Sequence, residues 1–379
     1  MSSIADEDSP YVKISCASIP NYGDYFVAHQ TEYLADCRCN HFTVKPCDRP
    51  YNAAFDNPNG TWGTGPKVND HGTSHINGCA TYDETGEVFW GVEWGNFTDN
   101  GRGYVMAMDA ATGNRRIVSG TYLDPQTGPK TVGTGPEFDK ILDIELGTDG
   151  FLYVEEQSTP FNGSITEDPP LQGITVFKVD LTNGNRTLVW NEREDMTQFG
   201  HCLNGDPDGI PPTHIQVDIH KFALDPQNNF YFTILQNQNP VPGNGVIKVT
   251  NDGQTCTWIT RGGAKPGNTF YQQDIGTGPE IGAAKFTAIA YRNGQIYLLD
   301  WLVNRFIRVD IATGNRTVIS NVGTPQVGEG GAMGMYFMFF YDYLNTWVLT
   351  GNDANTLSLA TLVDETNGNR QRWTRNLGD

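Results

Sequence analysis

Histidines are unevenly placed along this chain. His71 and His75 lie just before the predicted first strand of one repeat, and His201, His214 and His220 lie before or at the start of the first strand of another. Imidazole side chains that converge can bind a divalent metal or act as a general base near neutral pH. We therefore predict that His75 and His220 move protons at an active site and that His71 and His214 contact substrate. Hydrogen bonding to loop backbone is the alternative role for all of them.

Carboxylates recur where the predicted second strands of the repeats end. The set comprises Glu93, Glu155, Glu156, Asp300 and Asp353. Because Ca²⁺ takes about six to eight oxygen ligands, oxygens from several repeats that point to a common axis are suited to hold it. Glu93, Glu155, Asp300 and Asp353 are the predicted ligands, and Ca²⁺ is the predicted ion. For Asp300, capping of the following turn and bracing of Asn304 is the favoured alternative.

A third polar set follows the phrase Gly-Thr-Gly-Pro at 63–66, 133–136 and 276–279. Lys140 and Lys285 lie at or near the first strands that come next, with acidic residues close by in the sequence. Buried lysine–carboxylate pairs have perturbed pKa values and can serve catalysis. Ordinary ion pairs between repeats are the favoured alternative. We predict that Lys140 and Lys285, together with the loop aromatics Trp94 and Trp301, contact substrate.

These residues are positioned by a repeat. An Asp-containing apolar run, then Gly-Asn-Arg, then a β-branched run appears at 108–118, 179–189 and 309–319, and Gly-Asn-Arg returns at 368–370. Weaker copies occupy 249–259 and 33–44, which gives six units that turn near residues 40, 113, 184, 253, 314 and 368. Self-similarity at a fixed period indicates a stack of similar supersecondary units. The arginines that follow the turns (115, 186, 316 and 370) are predicted to brace neighbouring strands.

Each unit also contains an upstream hairpin. Thr148-Asp149-Gly150, Asn228-Asn229 and Asn293-Gly294 separate alternating apolar runs. Such turns favour hairpins because their central residues accept positive φ. Four short antiparallel strands per unit, repeated radially, make up a β-propeller blade. We predict an all-β, six-bladed β-propeller in one domain over 1–379, with approximate blades at 10–48, 66–120, 133–191, 214–261, 276–321 and 328–376.

The segment 297–310 resembles the NHL repeat, which has a tyrosine, an apolar residue and an aspartate, then Asn-Arg and an alternating strand that ends in aspartate. The Gly-Thr-Gly-Pro linkers also resemble the connections between blades in bacterial NHL arrays. The resemblance extends to the six-bladed group that includes NHL arrays, gluconolactonase-like lactonases, paraoxonases and strictosidine-synthase-like proteins. It implies an axial site, which in gluconolactonase-like proteins holds a metal through Glu, Asn and Asp. The group contains enzymes and binding scaffolds, so the resemblance implies a fold and leaves activity open.

Composition narrows the class of partner. The formal net charge of −19 repels phosphate backbones and anionic membranes, so we expect no nucleic-acid partner. No apolar stretch approaches the roughly 20 residues that span a bilayer, and no signal peptide is visible, so we expect no membrane insertion. Seven cysteines are few for a disulfide scaffold, and their odd number leaves at least one without a partner cysteine in the chain. Five Asn-x-Ser/Thr sequons are compatible with secretion, so the compartment stays open with a mild preference for a secreted protein.

Two functions are compatible with this sequence. The first is a metal-assisted hydrolase or lyase that acts on a small oxygenated substrate, of the lactone or sugar-acid type, at the propeller axis. The second is a non-catalytic propeller that binds a glycan or a protein through its loop face. A buried axial cation would distinguish the first from the second, which instead requires an exposed aromatic patch.

Overall fold

The fold consists of antiparallel β-sheets that follow one another along the chain. A computed structural model describes residues 64–66, 81–82, 87–94, 102–109, 114–124, 126–158, 173–191, 222–234, 244–253, 255–262, 274–281, 286–300, 302–330, 335–338, 346–353 and 356–373. All regular secondary structure within these ranges is β-strand, and no helix long and apolar enough to cross a membrane occurs in them.

The strands form five sheets, numbered here in chain order. The first sheet contains β1 (Thr81–Tyr82), β2 (Glu87–Trp94), β3 (Arg102–Asp109), β4 (Arg115–Asp124) and β5 (Gly128–Val132). The second contains β6 (Lys140–Leu146), β7 (Phe151–Ser158), β8 (Gly173–Asp180) and β9 (Arg186–Asn191). The third contains β10 (Phe222–Leu224), β11 (Phe230–Ile234), β12 (Gly245–Val249) and β13 (Cys256–Arg261). The fourth contains β14 (Phe286–Arg292), β15 (Gln295–Asp300), β16 (Arg305–Asp310) and β17 (Arg316–Asn321). The fifth contains β18 (Met335–Met338), β19 (Thr346–Asp353), β20 (Thr356–Asp364) and β21 (Arg370–Trp373).

The predicted upstream hairpins are confirmed. Their turns join β6 to β7, β10 to β11 and β14 to β15. Gly150, Asn228 and Asn293 have φ values of 78°, 60° and 49°, in the left-handed region that glycine and asparagine tolerate. The local turn chemistry therefore fixes where each first strand ends and each second strand begins.

Successive sheets pack face to face, and we call each such interface a seam. The first strands of neighbouring sheets contact one another, and a buried apolar cluster fills each seam. Aromatic pairs cross three of the seams, with ring centroids 5.4 Å apart for Tyr153 and Phe230, 5.8 Å for Tyr231 and Tyr291, and 4.2 Å for Tyr297 and Trp347. The sheets thus stack as consecutive propeller blades do.

The predicted all-β class and the four-stranded antiparallel unit are confirmed by these sheets. The first described sheet carries a fifth strand, β5, and so continues to Val132, beyond the boundary predicted at residue 120. The unit predicted at 10–48 lies outside the described residues, so the count of six blades remains a prediction.

Three of the four repeated arginines brace the seams, as the sequence predicts. Arg186, Arg316 and Arg370 are buried, and each donates from Nη1 to a hydroxyl on the fourth strand of the preceding sheet. These acceptors are Ser119 at 2.9 Å, Thr260 at 2.6 Å and Ser320 at 2.6 Å. The same guanidinium groups also donate to backbone carbonyls of the linker between the two sheets. We call this arrangement the arginine latch.

The linker also forms hydrogen bonds with the asparagine that directly precedes each of two latch arginines. Asn185 Oδ1 accepts hydrogen bonds from the amide and the hydroxyl of Thr134, both at 2.9 Å. Asn315 does the same for Thr277, at 2.8 Å. The Gly-Thr-Gly-Pro phrase and the Gly-Asn-Arg phrase are therefore two halves of one contact.

Candidate functional site

Buried carboxylates on the two innermost strands of the second sheet form the candidate site. Asp143 on β6 and Glu155 on β7 are directly opposite each other in the strand register, and both side chains are fully buried. Residues paired in this way point to the same face of a sheet with Cβ atoms about 5 Å apart. Two buried carboxylates are thus placed at paired positions on one face of the sheet.

Asp143 connects this pair to the next sheet. Its Oδ1 accepts a hydrogen bond from the Ile144 amide at 2.9 Å, and its Oδ2 accepts one from the Phe222 amide at 3.3 Å. Phe222 is the first residue of β10, so the carboxylate lies at the seam between the second and third sheets. In the sequence, His220 and Lys221 come directly before Phe222.

Glu156, the next residue on β7, points to the opposite face of the sheet. It is also buried, and its Oε2 accepts a hydrogen bond from the Asp139 amide at 2.7 Å. Burial raises the pKa of Asp139 above its usual range, and the nearby Glu137 carboxylate raises it further. The start of β6 is therefore acidic on both faces of the sheet.

This concentration of buried carboxylate has a chemical consequence. Moving an ionised carboxylate out of water is costly unless a counter-charge or hydrogen bonds compensate for the lost hydration. The region consequently favours a cationic side chain, a metal cation or a proton beside the carboxylates. Within the described part of the chain, no group of three or more His, Cys, Asp or Glu side chains is arranged to hold a metal ion.

Asp300 has a different environment. It is fully buried at the end of β15, where its Oδ2 accepts a 2.6 Å hydrogen bond from Arg305 Nη2 and its Oδ1 accepts one from the Leu302 amide at 3.2 Å. These contacts favour the turn-capping alternative over a metal ligand, although Arg305, and not Asn304, is the residue that it braces. Asn304 itself adopts a φ of 51° in this turn.

The other predicted site residues are described only in part. Glu93 and Trp94 lie on β2, Lys140 begins β6 and Asp353 ends β19, so their strand positions are known and their side chains are outside the description. Predicted site residues that lie outside the described residues altogether are His71, His75, His214, His220, Lys285 and Trp301. Glu93, Glu155, Asp300 and Asp353 all lie in the later part of the second strand of their sheets.

Asp143 was missed by the sequence analysis. Its signal was present, because it interrupts the apolar run Ile141–Ile144, and a charged residue inside such a run is unusual in a buried strand. The run itself does not show that Phe222, on β10 of the next sheet, packs against this position. That is why Glu155 was a predicted site residue and its cross-strand partner was not.

No known protein family and no curated protein matches this sequence. Among solved structures, the chain is similar to the major allergen Mala s 1 of Malassezia sympodialis, with 13% identity and a TM-score of 0.41 over 78% of each chain. It is also similar to regucalcin, a calcium-binding protein from Agrobacterium tumefaciens, with 14% identity and a TM-score of 0.41 over 77% of this chain and 72% of that one. A third structure, puromycin hydrolase, has 12% identity and a TM-score of 0.44 over 81% of this chain and 39% of the hydrolase. Similarities at this level assign no activity and no ligand to this chain.

Proposed function

We propose that this protein is a metal-assisted hydrolase or lyase for a small oxygenated substrate of the lactone or sugar-acid class. The observation that supports the proposal most is the pair of fully buried carboxylates, Asp143 and Glu155, at a seam between first strands. Structural cores rarely place two acidic side chains opposite each other unless their charge is used or compensated. The proposed site lies on the axial side of the sheets.

The proposal includes a closed ring of six blades. Thr64 donates its amide to Asn114 Oδ1 at 2.8 Å, and Arg115 Nε donates to the Pro66 carbonyl at 2.9 Å. These are the linker contacts that join successive sheets elsewhere in the chain. Their presence before the first described sheet supports a further sheet upstream, which we place at 10–48.

The donor chemistry of the site fits a divalent cation, and we propose Ca²⁺ with Glu155 as one ligand. Glu93 and Asp353 occupy comparable positions on the second strands of other sheets and are the further proposed ligands. Asp300 is the weakest of the four, because Arg305 already binds its Oδ2. When bound, such an ion supplies Lewis-acid polarisation of a substrate carbonyl oxygen.

The chain's own residues would bind the substrate and move protons. We propose His220 as the proton-transferring group, with His75 as the second, because His220 is two residues before the amide that binds Asp143. Lys140 begins β6 one residue before Ile141, which is opposite Glu156 in the register, and we propose that it contacts a carboxylate or an anionic substrate. His71, His214, Lys285, Trp94 and Trp301 are the remaining proposed substrate contacts.

A non-catalytic binding function is the second candidate, and one observation favours it. Leu302 and Val303, in the turn between β15 and β16, are 48% and 45% exposed. They directly follow Trp301 in the sequence. An exposed apolar turn beside a tryptophan is suited to contact a glycan or another protein through the loop face.

The decisive experiment is metal analysis of the purified protein, combined with thermal melting in Ca²⁺ and in a chelator. We expect a stoichiometric metal and a lower melting temperature in the chelator for the wild type. Glu155→Gln should abolish both effects, while Glu329→Gln, a change at an exposed linker residue, should retain them. Absence of metal and of chelator sensitivity in the wild type would overturn the metal-assisted proposal.

Activity is tested on a panel of lactones, with proton release as the readout for hydrolysis, and on a panel of sugar acids, with product analysis as the readout for elimination. We expect hydrolysis or elimination on at least one of them that is lost in His220→Gln with unchanged melting temperature. Chelator-insensitive glycan or protein binding that is lost in Leu302→Ser would instead establish the second candidate.

A further inference from the structure

Among the seams between the five described sheets, the one between the second and third sheets lacks the arginine latch. The strand register identifies equivalent positions, because Val179 pairs with Arg186, Val309 pairs with Arg316 and Val249 pairs with Cys256. Cys256 therefore occupies the position of the latch arginine in the third sheet.

The acceptor side of the latch is replaced at the same seam. Ser119 pairs with Val105 and Ser320 with Phe306, and the equivalent residue of the second sheet is Trp190, which pairs with Val176. Trp190 is buried and stacks on Phe232 of the third sheet, with ring centroids 4.8 Å apart. An indole ring in this position cannot accept the hydrogen bond that the serine hydroxyls accept from an arginine.

Cys256 is disulfide-bonded, so this position holds a covalent bond where the other sheets hold a guanidinium group. At the other seams the latch residue reaches the linker that precedes its own sheet, as Arg186 reaches Pro136 and Arg316 reaches Pro279. The linker that precedes the third sheet, 192–221, lacks the Gly-x-Gly-Pro phrase and contains one cysteine, Cys202.

We infer that the Cys256 disulfide takes the place of the arginine latch at this seam, with Cys202 of the linker as its partner. Of the described seams, the one between the second and third sheets is then the one whose packing depends on the thiol redox state. This inference does not depend on the proposed function. It places a redox-sensitive contact at the same seam as the buried carboxylate of Asp143.

The redox step needs only a thiol reductant. A dithiol attacks the disulfide, the S–S bond breaks, and two protein thiols form with the two electrons and two protons that the dithiol gives up as it closes to a cyclic disulfide. The seam then keeps its non-covalent contacts, including the Trp190–Phe232 stack and the hydrogen bond from the Thr148 amide to Asn228 Oδ1 at 2.9 Å. The arginine latches at the other seams contain no sulfur and are unaffected.

Peptide mapping of the wild-type protein under non-reducing conditions tests the connection directly. We expect one linked peptide pair that contains Cys202 and Cys256 and that separates on reduction. A bond from Cys256 to a cysteine outside the linker, or a free thiol at Cys256, would overturn the inference.

Hydrogen exchange with and without reductant tests the role of the bond. We expect reduction to accelerate exchange in 222–234 and 186–191, and to leave 286–300 unchanged. Cys256→Ser should show the faster exchange without reductant and no further change with it, which separates this bond from any other disulfide. Arg316→Ala is the matched control, because it should accelerate exchange at the seam of the third and fourth sheets in either redox state. Equal exchange at 222–234 in oxidised and reduced wild type would refute the latch role, whatever activity the protein has.

Discussion

Removal of one arginine latch should destabilise the protein strongly. Arg316 is 6% exposed, and its guanidinium donates to Thr260 Oγ1 at 2.6 Å, the Ile275 carbonyl at 2.8 Å and the Pro279 carbonyl at 2.9 Å. In Arg316→Ala the two carbonyls lose these bonds, whereas Thr260 keeps a contact to the Gly314 carbonyl at 2.9 Å. Hydrogen bonds to a charged donor contribute roughly 1.5–3 kcal/mol each, and part of the loss is recovered by water that enters the vacated space. We expect a loss of about 3–5 kcal/mol in the free energy of unfolding, which is the lower part of the sum for three such bonds after that partial recovery.

The measurement is the midpoint and slope of denaturant unfolding for the wild type and three variants. Arg308→Ala is the matched control, because Arg308 is 40% exposed and its contact to Glu365 is 3.4 Å long, so its loss should cost no more than about 1 kcal/mol. Arg316→Lys should lie between the two, since an ammonium group cannot reach all three acceptors at once. If Arg316→Ala is no more destabilising than Arg308→Ala, the latch does not hold the seam and the reasoning fails.

Two further predictions concern the linkers and the response to acid. Gly133→Ala should lower the denaturant midpoint far more than Gly150→Ala. A Cβ at Gly133 would lie 1.9 Å from the Gly184 carbonyl oxygen, whereas a Cβ at Gly150, which has a similar φ, would meet nothing within 4 Å. Similar midpoints for the two variants would contradict the packing of the linker. Although burial raises the pKa of Asp225, hydrogen bonds from Asn229 and the Lys248 ammonium lower it below its usual range. A carboxyl group whose pKa is lower in the folded state than in the unfolded state stabilises the fold above the unfolded-state pKa, and this stabilisation is lost as the pH falls. Melting temperatures between about pH 5 and pH 2 should therefore fall less steeply in Asp225→Asn than in the wild type. Parallel curves for the two proteins would refute this.

The local structure could be predicted from the sequence because its determinants are local. Asp149-Gly150 and Asn293-Gly294 favour hairpins through the positive φ values that Gly150, Asn293 and Gly294 adopt. The latch arginines could be predicted as braces because a repeated cation after a repeated turn has few other uses. The identity of their acceptors, Thr260 and the linker carbonyls, depends on which sheet packs beside which, and that information is not in any one repeat.

The candidate site was less predictable for the same reason. Asp143 belongs to the site because the Phe222 amide, 79 residues later, donates to it across a seam. Glu155 and Asp300 occupy similar places on second strands, yet Arg305 binds only Asp300. Position in the repeat therefore predicts where a carboxylate lies, and the residues packed around it determine whether it is neutralised by an ion pair.

The exceptional seam shows how a repeat array can vary the chemistry of one interface. In such an array stability is approximately a sum of terms for each unit and each interface, so one interface can differ from its neighbours without altering theirs. An arginine at position 256 would bury its guanidinium opposite Trp190 without the hydroxyl acceptor that Arg316 has in Thr260. Cysteine avoids that desolvation cost, and the inferred bond to Cys202 would restore the tie to the linker. The Trp190 and Cys256 replacements are thus mutually consistent, and together they make this seam differ from its neighbours in chemistry while it keeps the same geometry.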